Sequence, residues 1–299
     1  MHHLQSILTQ RSKGRLLIPF IATVLIMVRL FVFGVQQDIG LELDSSWYLG
    51  VSRNIALRGI YASYANHANN PNPGVSPNII RRFTVQDDDG YSYFPAGVTA
   101  GPGYVIPQAA TLMLLGHNYF AYKILPFVVF AILIWLLLFV TYRSGGLLAY
   151  FAFFALLWSR PDIYINQVFD GYSESLALLY AIGGFLLLVL GMKDNKKIYY
   201  LISGVLMSCA IETKLLAFLM LGGFGYLALI DLYESKGKKM VYWICWAIGM
   251  CIPIGLYEGY RYFYLIKHFG NIGYEAINAD IKLTMVAGGS GSVPPIRCF

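Results

Sequence analysis

Residues 119–141 read YFAYKILPFVVFAILIWLLLFVT, a run whose one charged side chain is Lys123. About 20 consecutive apolar residues suffice for a helix to cross the hydrocarbon core of a membrane. The whole chain has the matching composition, since 57% of its 299 residues are hydrophobic and only 13% are charged. Soluble domains carry about 25% charged residues. The sequence therefore predicts an integral membrane protein and argues against a soluble globule, a disordered chain or a nucleic-acid-binding module.

Six more apolar runs complete the predicted bundle. They span 16–35, 146–158, 174–192, 198–211, 215–231 and 240–258. The first is long for a cleaved signal peptide and lacks a small-residue cleavage site, so it is expected to remain as a helix. The predicted fold class is an all-α polytopic membrane protein with about seven transmembrane helices. Residues 1–258 are expected to form this transmembrane module, and 259–299 an external tail that begins an incomplete C-terminal region.

The charged residues divide between the two sides of the predicted bundle. With a cytoplasmic N-terminus and seven crossings, the cytoplasmic segments hold ten basic residues and only three acidic ones. Lysine and arginine collect in the short cytoplasmic loops of membrane proteins, so this division supports the orientation. The loops 193–197 and 232–239 are then cytoplasmic, whereas 36–118 and 159–173 are external.

The first external loop begins with a helical pattern. Residues 44–58 (DSSWYLGVSRNIALR) place Trp47, Val51 and Ile55 at four-residue intervals, and Gly59 follows. This spacing and the glycine stop are typical of an amphipathic helix on the membrane surface.

The remainder of that loop gives two further predictions. Residues 104–116 are apolar but too short to cross, so we expect an interfacial or re-entrant helix. Residues 62–81 are rich in Asn, Pro and Ser and indicate an irregular loop.

Asp44 is the main candidate for a catalytic acid residue. It lies shortly after the first span, where a carboxylate could take a proton from an acceptor whose partner substrate is anchored in lipid. A second interpretation is that Asp44 caps the surface helix, a role that aspartate fills well. Ser45 or Ser46 could cap the helix instead. Both interpretations of Asp44 remain open at this point.

The second external loop supplies more acids: Asp162, Asp170 and Glu174. Glu174 begins an apolar run close to membrane depth, where a carboxylate needs a function or a partner. The negative charge of Glu174 could also interact favourably with the N-terminus of its own helix. Asp170 could be the N-cap of that helix. Glu212 and Lys214, between two short apolar runs, indicate an external turn.

Four arginines lie near the predicted surface helix: Arg53, Arg58, Arg81 and Arg82. They could hold a phosphate through bidentate hydrogen bonds or face lipid headgroups. The acidic run at 87–89 does not fit the calcium-loop pattern and indicates a solvated turn.

Four stretches together resemble the GT-C glycosyltransferases, among them protein O-mannosyltransferases, aminoarabinose transferases and related bacterial sugar transferases. They are LDSSWYLGVSRNIALRGIY (43–61), GPGYVIPQAATLMLLGHNYFAYKILP (101–126), FDGYSESLALLYAIGGFLLL (169–188) and GVLMSCAIETKLLAF (204–218). The resemblance covers about 40–260, close to the seven-helix catalytic module of that class. In this chain Ser45 follows Asp44, where many members carry a second acid.

The resemblance implies transfer of a sugar from a polyprenyl-phosphate-linked donor to a glycan, lipid or protein acceptor. Asp44 matches the catalytic acid of the class, and Asp170 or Glu174 its second external acid. The leaving phosphate needs positive charge, either from arginine (Arg53, Arg81 and Arg82 are the candidates) or from a divalent metal cation. The expected location is a bacterial inner membrane.

Two alternatives to a glycosyltransferase remain. A transporter subunit often shows repeats and polar residues at the bilayer midplane, whereas here the acids concentrate in external loops. A non-catalytic or truncated assembly partner is the third interpretation.

Overall fold

The computed structural model describes residues 14–37, 43–64, 74–77, 83–87, 90–94, 101–169 and 171–278, and within these ranges the chain is mainly helical. The helices are α1 (Gly14–Gln37), α2 (Leu43–Arg58), α3 (Pro102–Leu115), α4 (Tyr119–Ser159), α5 (Ile165–Phe169), α6 (Glu174–Asp194), α7 (Lys197–Thr213), α8 (Leu221–Glu234), α9 (Met240–Phe269) and α10 (271–278). Two 3₁₀ segments, Pro161–Ile163 and Leu215–Met220, precede α5 and α8.

Five helical stretches of the described chain are long and apolar enough to cross a membrane. They are Leu17–Gly34, Phe120–Ser159, Glu174–Asp194, Leu216–Glu234 and Met240–Phe269. The prediction of a helical membrane protein is therefore confirmed, but the predicted number of seven spans is not. The helix α7 has 17 residues, about 26 Å at 1.5 Å per residue, which is short against a core of about 30 Å.

The two predicted runs 119–141 and 146–158 meet within α4. Gly146 has φ 71° and ψ −168° and interrupts the helix, a conformation that glycine adopts without steric cost. The rings of Tyr142 and Tyr150 lie 5.6 Å apart across this break, whereas eight residues of a straight helix would separate them by about 12 Å. The chain therefore folds back at Gly146 into two arms, as the separate apolar runs predicted.

The bundle has two ends, which we name after Glu174 and Asp231. At the Glu174 end, the ammonium of Lys214, which follows α7, lies 2.6 Å from the carboxylate of Glu174. At the Asp231 end, the Lys239 ammonium lies 2.9 Å from Asp231 and donates to the carbonyl of Met192 at 3.2 Å. Glu174 and Met192 belong to the same 21-residue helix, about 30 Å long, so the two groups lie at opposite ends.

The loops 193–197 and 232–239 both lie at the Asp231 end, so they face the same side of the membrane. The side of the membrane that they face stays a prediction. We expect the lysine-rich Asp231 end to face the cytoplasm. In intact cells and a cysteine-free background, we expect a membrane-impermeant maleimide to label Arg53→Cys, on α2, and not Lys196→Cys. The reverse labelling pattern would show that the orientation is wrong.

Close helix crossings hold α7 against α9. A Cβ atom at Gly204 would overlap the carbonyl oxygen of Trp246, and one at Gly249 would overlap the carbonyl oxygen of Leu201. Small residues at such contacts allow membrane helices to approach each other closely. This crossing fixes the middle of α7 against the first third of α9.

Two helices predicted within residues 36–118 are observed, and their location on the membrane surface stays a prediction. The helix α2 ends at Arg58, and Gly59, with φ 68°, donates its N–H to the carbonyl of Ile55 at 3.0 Å. The glycine stop is therefore confirmed. The helix α3 has 14 residues and ends before Gly116, which has φ 86°. It is not among the five candidate spans, as its length predicted.

The prediction of an irregular loop at 62–81 is wrong for its described residues. Four short strands form an antiparallel sheet in the order β1-β4-β3-β2. They are β1 (Ala62–Tyr64), β2 (Gly74–Pro77), β3 (Phe83–Gln86) and β4 (Tyr91–Tyr93). Strand pairing joins residues far apart in sequence, which local composition does not reveal. The sheet is a β element within the predicted all-α class.

An acid of the run 87–89 has a structural role in this sheet. One carboxylate oxygen of Asp87 accepts from the Tyr91 N–H at 2.8 Å, and the other accepts from the Tyr93 hydroxyl at 3.0 Å. Asp87 therefore closes the β3–β4 turn. The other two acids of the run lie outside the described residues.

Aromatic rings attach the sheet to the last long helix. Tyr61 stacks on Phe94 with ring centroids 5.1 Å apart and contacts Tyr257 of α9 at 5.6 Å. Tyr93 meets the edge of Phe269 at 4.8 Å. The sheet is thus held against the half of α9 that lies at the Glu174 end.

The helix α9 extends beyond the predicted span 240–258, to Phe269. The segment 271–278 packs back onto it, and Ala276 is fully buried. Whether 259–299 belongs to a larger external region stays a prediction.

Candidate functional site

The site begins where α2 packs on α3. The Tyr48 side chain is buried, and its ring lies 5.5 Å from that of Tyr104. Since α2 starts at Leu43, position 44 lies in the first turn of the helix, four residues before Tyr48 and on the same face. The N-cap position precedes Leu43, so the predicted capping of α2 by Asp44, Ser45 or Ser46 does not fit this helix. The contacts of the Asp44 side chain lie outside the described residues, and its catalytic role stays a prediction.

Tyr104 connects α3 to the segment that precedes α6. A Cβ atom at Gly171 would lie 3.0 Å from the Tyr104 hydroxyl, and Gly171 has φ 71°. Burial raises the pKa of Tyr104, and the nearby Tyr48 and Glu174 raise this pKa further. Desolvation and like charge both disfavour the phenolate. Tyr104 is therefore a neutral hydroxyl that can donate a hydrogen bond at any physiological pH.

Glu174 and Lys214 form the charged part of the site. Their ion pair is 2.6 Å long, and the Lys214 side chain is only 19% exposed. The second carboxylate oxygen of Glu174 is buried and accepts a hydrogen bond from none of the described residues. A buried acceptor left unsatisfied is costly, so this oxygen is suited to a hydroxyl brought by a ligand or a water.

Glycines explain how α3 comes so close to this pair. A Cβ at Gly101 would overlap the Glu212 carbonyl, and one at Gly103 would overlap the Thr213 hydroxyl. Gly101 also donates its N–H to the Thr213 carbonyl at 3.3 Å, and the Tyr180 hydroxyl donates to the Gly103 carbonyl at 3.4 Å. The first turn of α3 is therefore fixed against the end of α7, next to Lys214.

An apolar groove of about 570 Å³ adjoins the same turn. Its walls come from α3, α6, α7 and α9 and from the end of α2, and they include Gly103, Ile106, Pro107, Cys209 and Leu256. We call this the α3–α9 groove. Gly103, Ile106 and Pro107 line it, whereas Tyr104 packs on α2 from another face of α3.

The predicted cationic residues take different positions. Arg53 is exposed on α2, and its role in phosphate binding stays a prediction. Arg58 donates to the Tyr91 hydroxyl and lies 5.1 Å from the centroid of that ring, so it helps to fix the sheet. Arg81 and Arg82 lie outside the described residues.

The acids of the loop 159–173, with Glu174 after it, also differ from one another. Asp162 is exposed and paired with Arg160 at 2.9 Å, and this hydrogen-bonded pair lowers the pKa of Asp162. Asp170 lies outside the described residues. The N-cap position of α6 is Ser173, so the prediction that Asp170 caps this helix is wrong. Glu174 is thus the predicted site acid whose contacts the structure describes, and its partner is a lysine from another helix.

Sequence reasoning missed Lys214 and Tyr104. The local sequence indicates Lys214 only as part of a turn, although a lysine at the end of an apolar helix is itself a functional signal in a membrane protein. Tyr104 has no such signal, because nothing in the local sequence indicates which tyrosine is buried beside a carboxylate.

The binding of a divalent cation stays a prediction. Within the described ranges, no group of three or more His, Cys, Asp and Glu side chains is placed to hold a metal ion. The side chains of Asp44 and Asp170 lie outside the described part of the chain.

Comparisons with known proteins identified no relative of this chain. No protein-family model, curated protein or solved structure matches the chain.

Proposed function

We propose that this protein is a membrane glycosyltransferase that moves a sugar from a polyprenyl-phosphate-linked donor to an acceptor at the Glu174 end of the bundle. One observation carries the proposal. The start of α2, the buried Tyr104 hydroxyl and the Glu174–Lys214 pair come together at one end of an apolar bundle. Transfer of a sugar away from a phosphate requires a carboxylate, a neutral hydrogen-bond donor and a positive charge, and here the positive charge is a half-buried ammonium.

The reaction assigns each group a role. The acceptor hydroxyl attacks the anomeric carbon, a new C–O bond forms, and the C–O bond to the lipid phosphate breaks. Asp44 takes the proton of the acceptor hydroxyl, as a general base does. The electron pair of the broken bond leaves with the phosphate, which gains a negative charge. We assign the stabilisation of that charge to the ammonium of Lys214 and the role of a hydrogen-bond donor to the leaving phosphate to the Tyr104 hydroxyl.

The surroundings suit a donor anchored in lipid. The end of α3 exposes Met113 and Leu114, at 66% and 83% of their surfaces, as expected of a helix that lies against the membrane. A polyprenyl chain and the enzyme would then share the same interface. We propose the bacterial inner membrane, with a cytoplasmic N-terminus, as the location.

The test is sugar transfer in membranes from a polyprenyl-phosphate donor, with Lys214→Gln as the variant. Removing one group that stabilises developing charge typically costs about 100- to 1,000-fold in rate, and we expect a loss of that size. Lys267→Gln is the matched control, because Lys267 is an exposed lysine near the end of α9. It is expected to keep the wild-type rate.

A second variant separates catalysis from folding. Lys214→Gln alone leaves the Glu174 carboxylate without its cation, whereas Glu174→Gln with Lys214→Gln removes both charges. If the pair is only structural, the double variant should regain activity. If Lys214 acts on the phosphate, the double variant stays inactive at normal protein levels. A wild-type chain that moves no sugar from any polyprenyl donor would favour an assembly partner or a transporter subunit.

A further inference from the structure

Arg29 is a charged residue inside the first candidate span, Leu17–Gly34. It precedes Gly34 by about 7.5 Å along the helix, at 1.5 Å per residue. A Cβ atom at Gly34 would overlap the ring of Phe169, which comes shortly before Glu174 in the chain. This half of α1 therefore lies toward the Glu174 end. A charged group at such a depth in a membrane needs a partner or a function.

The protein provides the Arg29 guanidinium with an aromatic ring but with no anion. The Cζ atom of Arg29 lies 4.6 Å from the centroid of the Trp158 ring. None of the residues that the structure describes forms a salt bridge or a hydrogen bond with Arg29, and its Nε is buried without an acceptor. A guanidinium that stacks on a ring by its face keeps its in-plane N–H groups available for an acceptor.

The neighbouring charges neutralise each other and leave the Arg29 charge unbalanced. Arg160 and Asp162 form a pair joined by three hydrogen bonds of 2.9 to 3.3 Å. The charges of Arg29, Arg160 and Asp162 all act on the Tyr164 hydroxyl, so these groups lie close together. We call these four residues and Trp158 the Arg29 cluster. Its two guanidinium groups and one carboxylate give it a net positive charge.

The Arg29 cluster is accessible from outside the bundle at a depth where lipid is expected. The second arm of α4 consists of residues 147–159 and is about 20 Å long, whereas the hydrocarbon core is about 30 Å thick. The side chains of Arg160 and Asp162, which follow this arm, are 58% and 52% exposed, and Trp158 is 37% exposed. Charged groups next to a short apolar segment draw the head-group layer inward by local thinning of the bilayer.

We propose that Arg29 binds the phosphate group of an anionic bilayer phospholipid, whose head group lies at the level of Trp158. Arginine binds phosphate through two parallel N–H donors, and tryptophan is typical of the head-group level of a membrane. One net negative charge on the head group balances the net charge of the cluster. The site lies between α1 and the second arm of α4, whereas Glu174 and Lys214 belong to other elements. The inference does not depend on the proposed function.

The experiment is photo-crosslinking of the purified full chain with two lipids that carry the same diazirine-bearing acyl chains. One is phosphatidylglycerol, and the other is diacylglycerol, which lacks the phosphate. We expect phosphatidylglycerol to label peptides from 24–34 and 156–164 at least fivefold more than diacylglycerol does. Arg29→Gln should reduce this preference to less than twofold, because the phosphate loses its hydrogen-bond donors.

Three variants test whether the preference belongs to Arg29 rather than to positive charge in general. Lys267→Gln is the matched control, because it removes an exposed cation at the Glu174 end and should leave the preference unchanged. Arg160→Gln with Asp162→Asn removes the neighbouring pair and should also keep the preference. Arg29→Lys keeps the charge without the planar fork, so we expect a preference between those of the wild type and Arg29→Gln.

The outcomes separate the proposal from its alternatives. Helical circular dichroism establishes that each variant is folded, and Arg29→Lys serves as the test if Arg29→Gln does not fold. Equal labelling by the two lipids in the wild-type chain, or a full preference in a folded Arg29 variant, would overturn the proposal.

Unlabelled polyprenyl phosphate distinguishes the two sources of a lipid phosphate. Competition no stronger than that of unlabelled phosphatidylglycerol supports a bilayer phospholipid. Stronger competition would overturn this assignment and place a donor phosphate at Arg29. A chain that transfers no sugar but keeps the Arg29-dependent preference would overturn the proposed function alone.

Discussion

Asp44→Asn is expected to lower sugar transfer by about 100- to 10,000-fold, the usual contribution of a general base, with protein levels and folding unchanged. Asparagine is similar in size to aspartate, but it has no carboxylate to accept the proton. Position 44 lies one turn before Tyr48 on the face of α2 that packs against α3. The measurement is transfer from a polyprenyl-phosphate donor in membranes at matched protein levels.

Asp44→Ala and Glu174→Gln distinguish the alternatives for that result. If Asp44 only stabilises the first turn of α2 through its charge, Asp44→Asn and Asp44→Ala should both leave the transfer rate unchanged and cost no more than about 1 kcal/mol of helix stability. Full activity in Asp44→Asn would exclude the catalytic role. Glu174→Gln removes the partner of Lys214, and we expect a smaller loss of activity than with Asp44→Asn, because the amide can still accept a hydrogen bond.

Asp231→Ala is expected to destabilise the fold by about 3–5 kcal/mol, the usual cost of leaving one member of a buried ion pair without its partner. Asp231 is 3% exposed. It accepts hydrogen bonds from the Tyr200 hydroxyl at 2.7 Å, the Trp243 indole N–H at 3.1 Å and the Lys239 ammonium at 2.9 Å. These donors come from α7, α9 and the loop before α9, so one carboxylate joins three parts of the bundle.

The measurement for Asp231→Ala is unfolding in detergent, followed by helical circular dichroism. Asp194→Asn is the matched control, because Asp194 is an exposed acid near the same end and should change stability by no more than about 0.5 kcal/mol. Asp231→Asn keeps an acceptor and should fall between the two. A change below about 1 kcal/mol in Asp231→Ala would show that the cluster does not hold the helices together.

The local pattern of the sequence was enough to predict the helices. A long apolar segment in a membrane can satisfy its backbone N–H and C=O groups within itself only by forming a helix. The helices α1 and α6 and the two arms of α4 therefore follow directly from composition. The end of α2 at Arg58 was also predicted, because Gly59 adopts a positive φ at little cost. The sheet was not predicted, since its four strands are short and its pairings join residues from 62 to 93.

The candidate site divides in the same way. The sequence by itself determined that Glu174 would stand at the start of an apolar helix, where a carboxylate needs a partner. Only the tertiary structure decided that this partner is Lys214, 40 positions later in the chain, and that Tyr104 is buried beside the pair. The glycines Gly101 and Gly103 allow the close approach. Which helix ends meet is decided by side-chain packing between distant segments, and no local pattern of hydrophobic and polar residues encodes that choice.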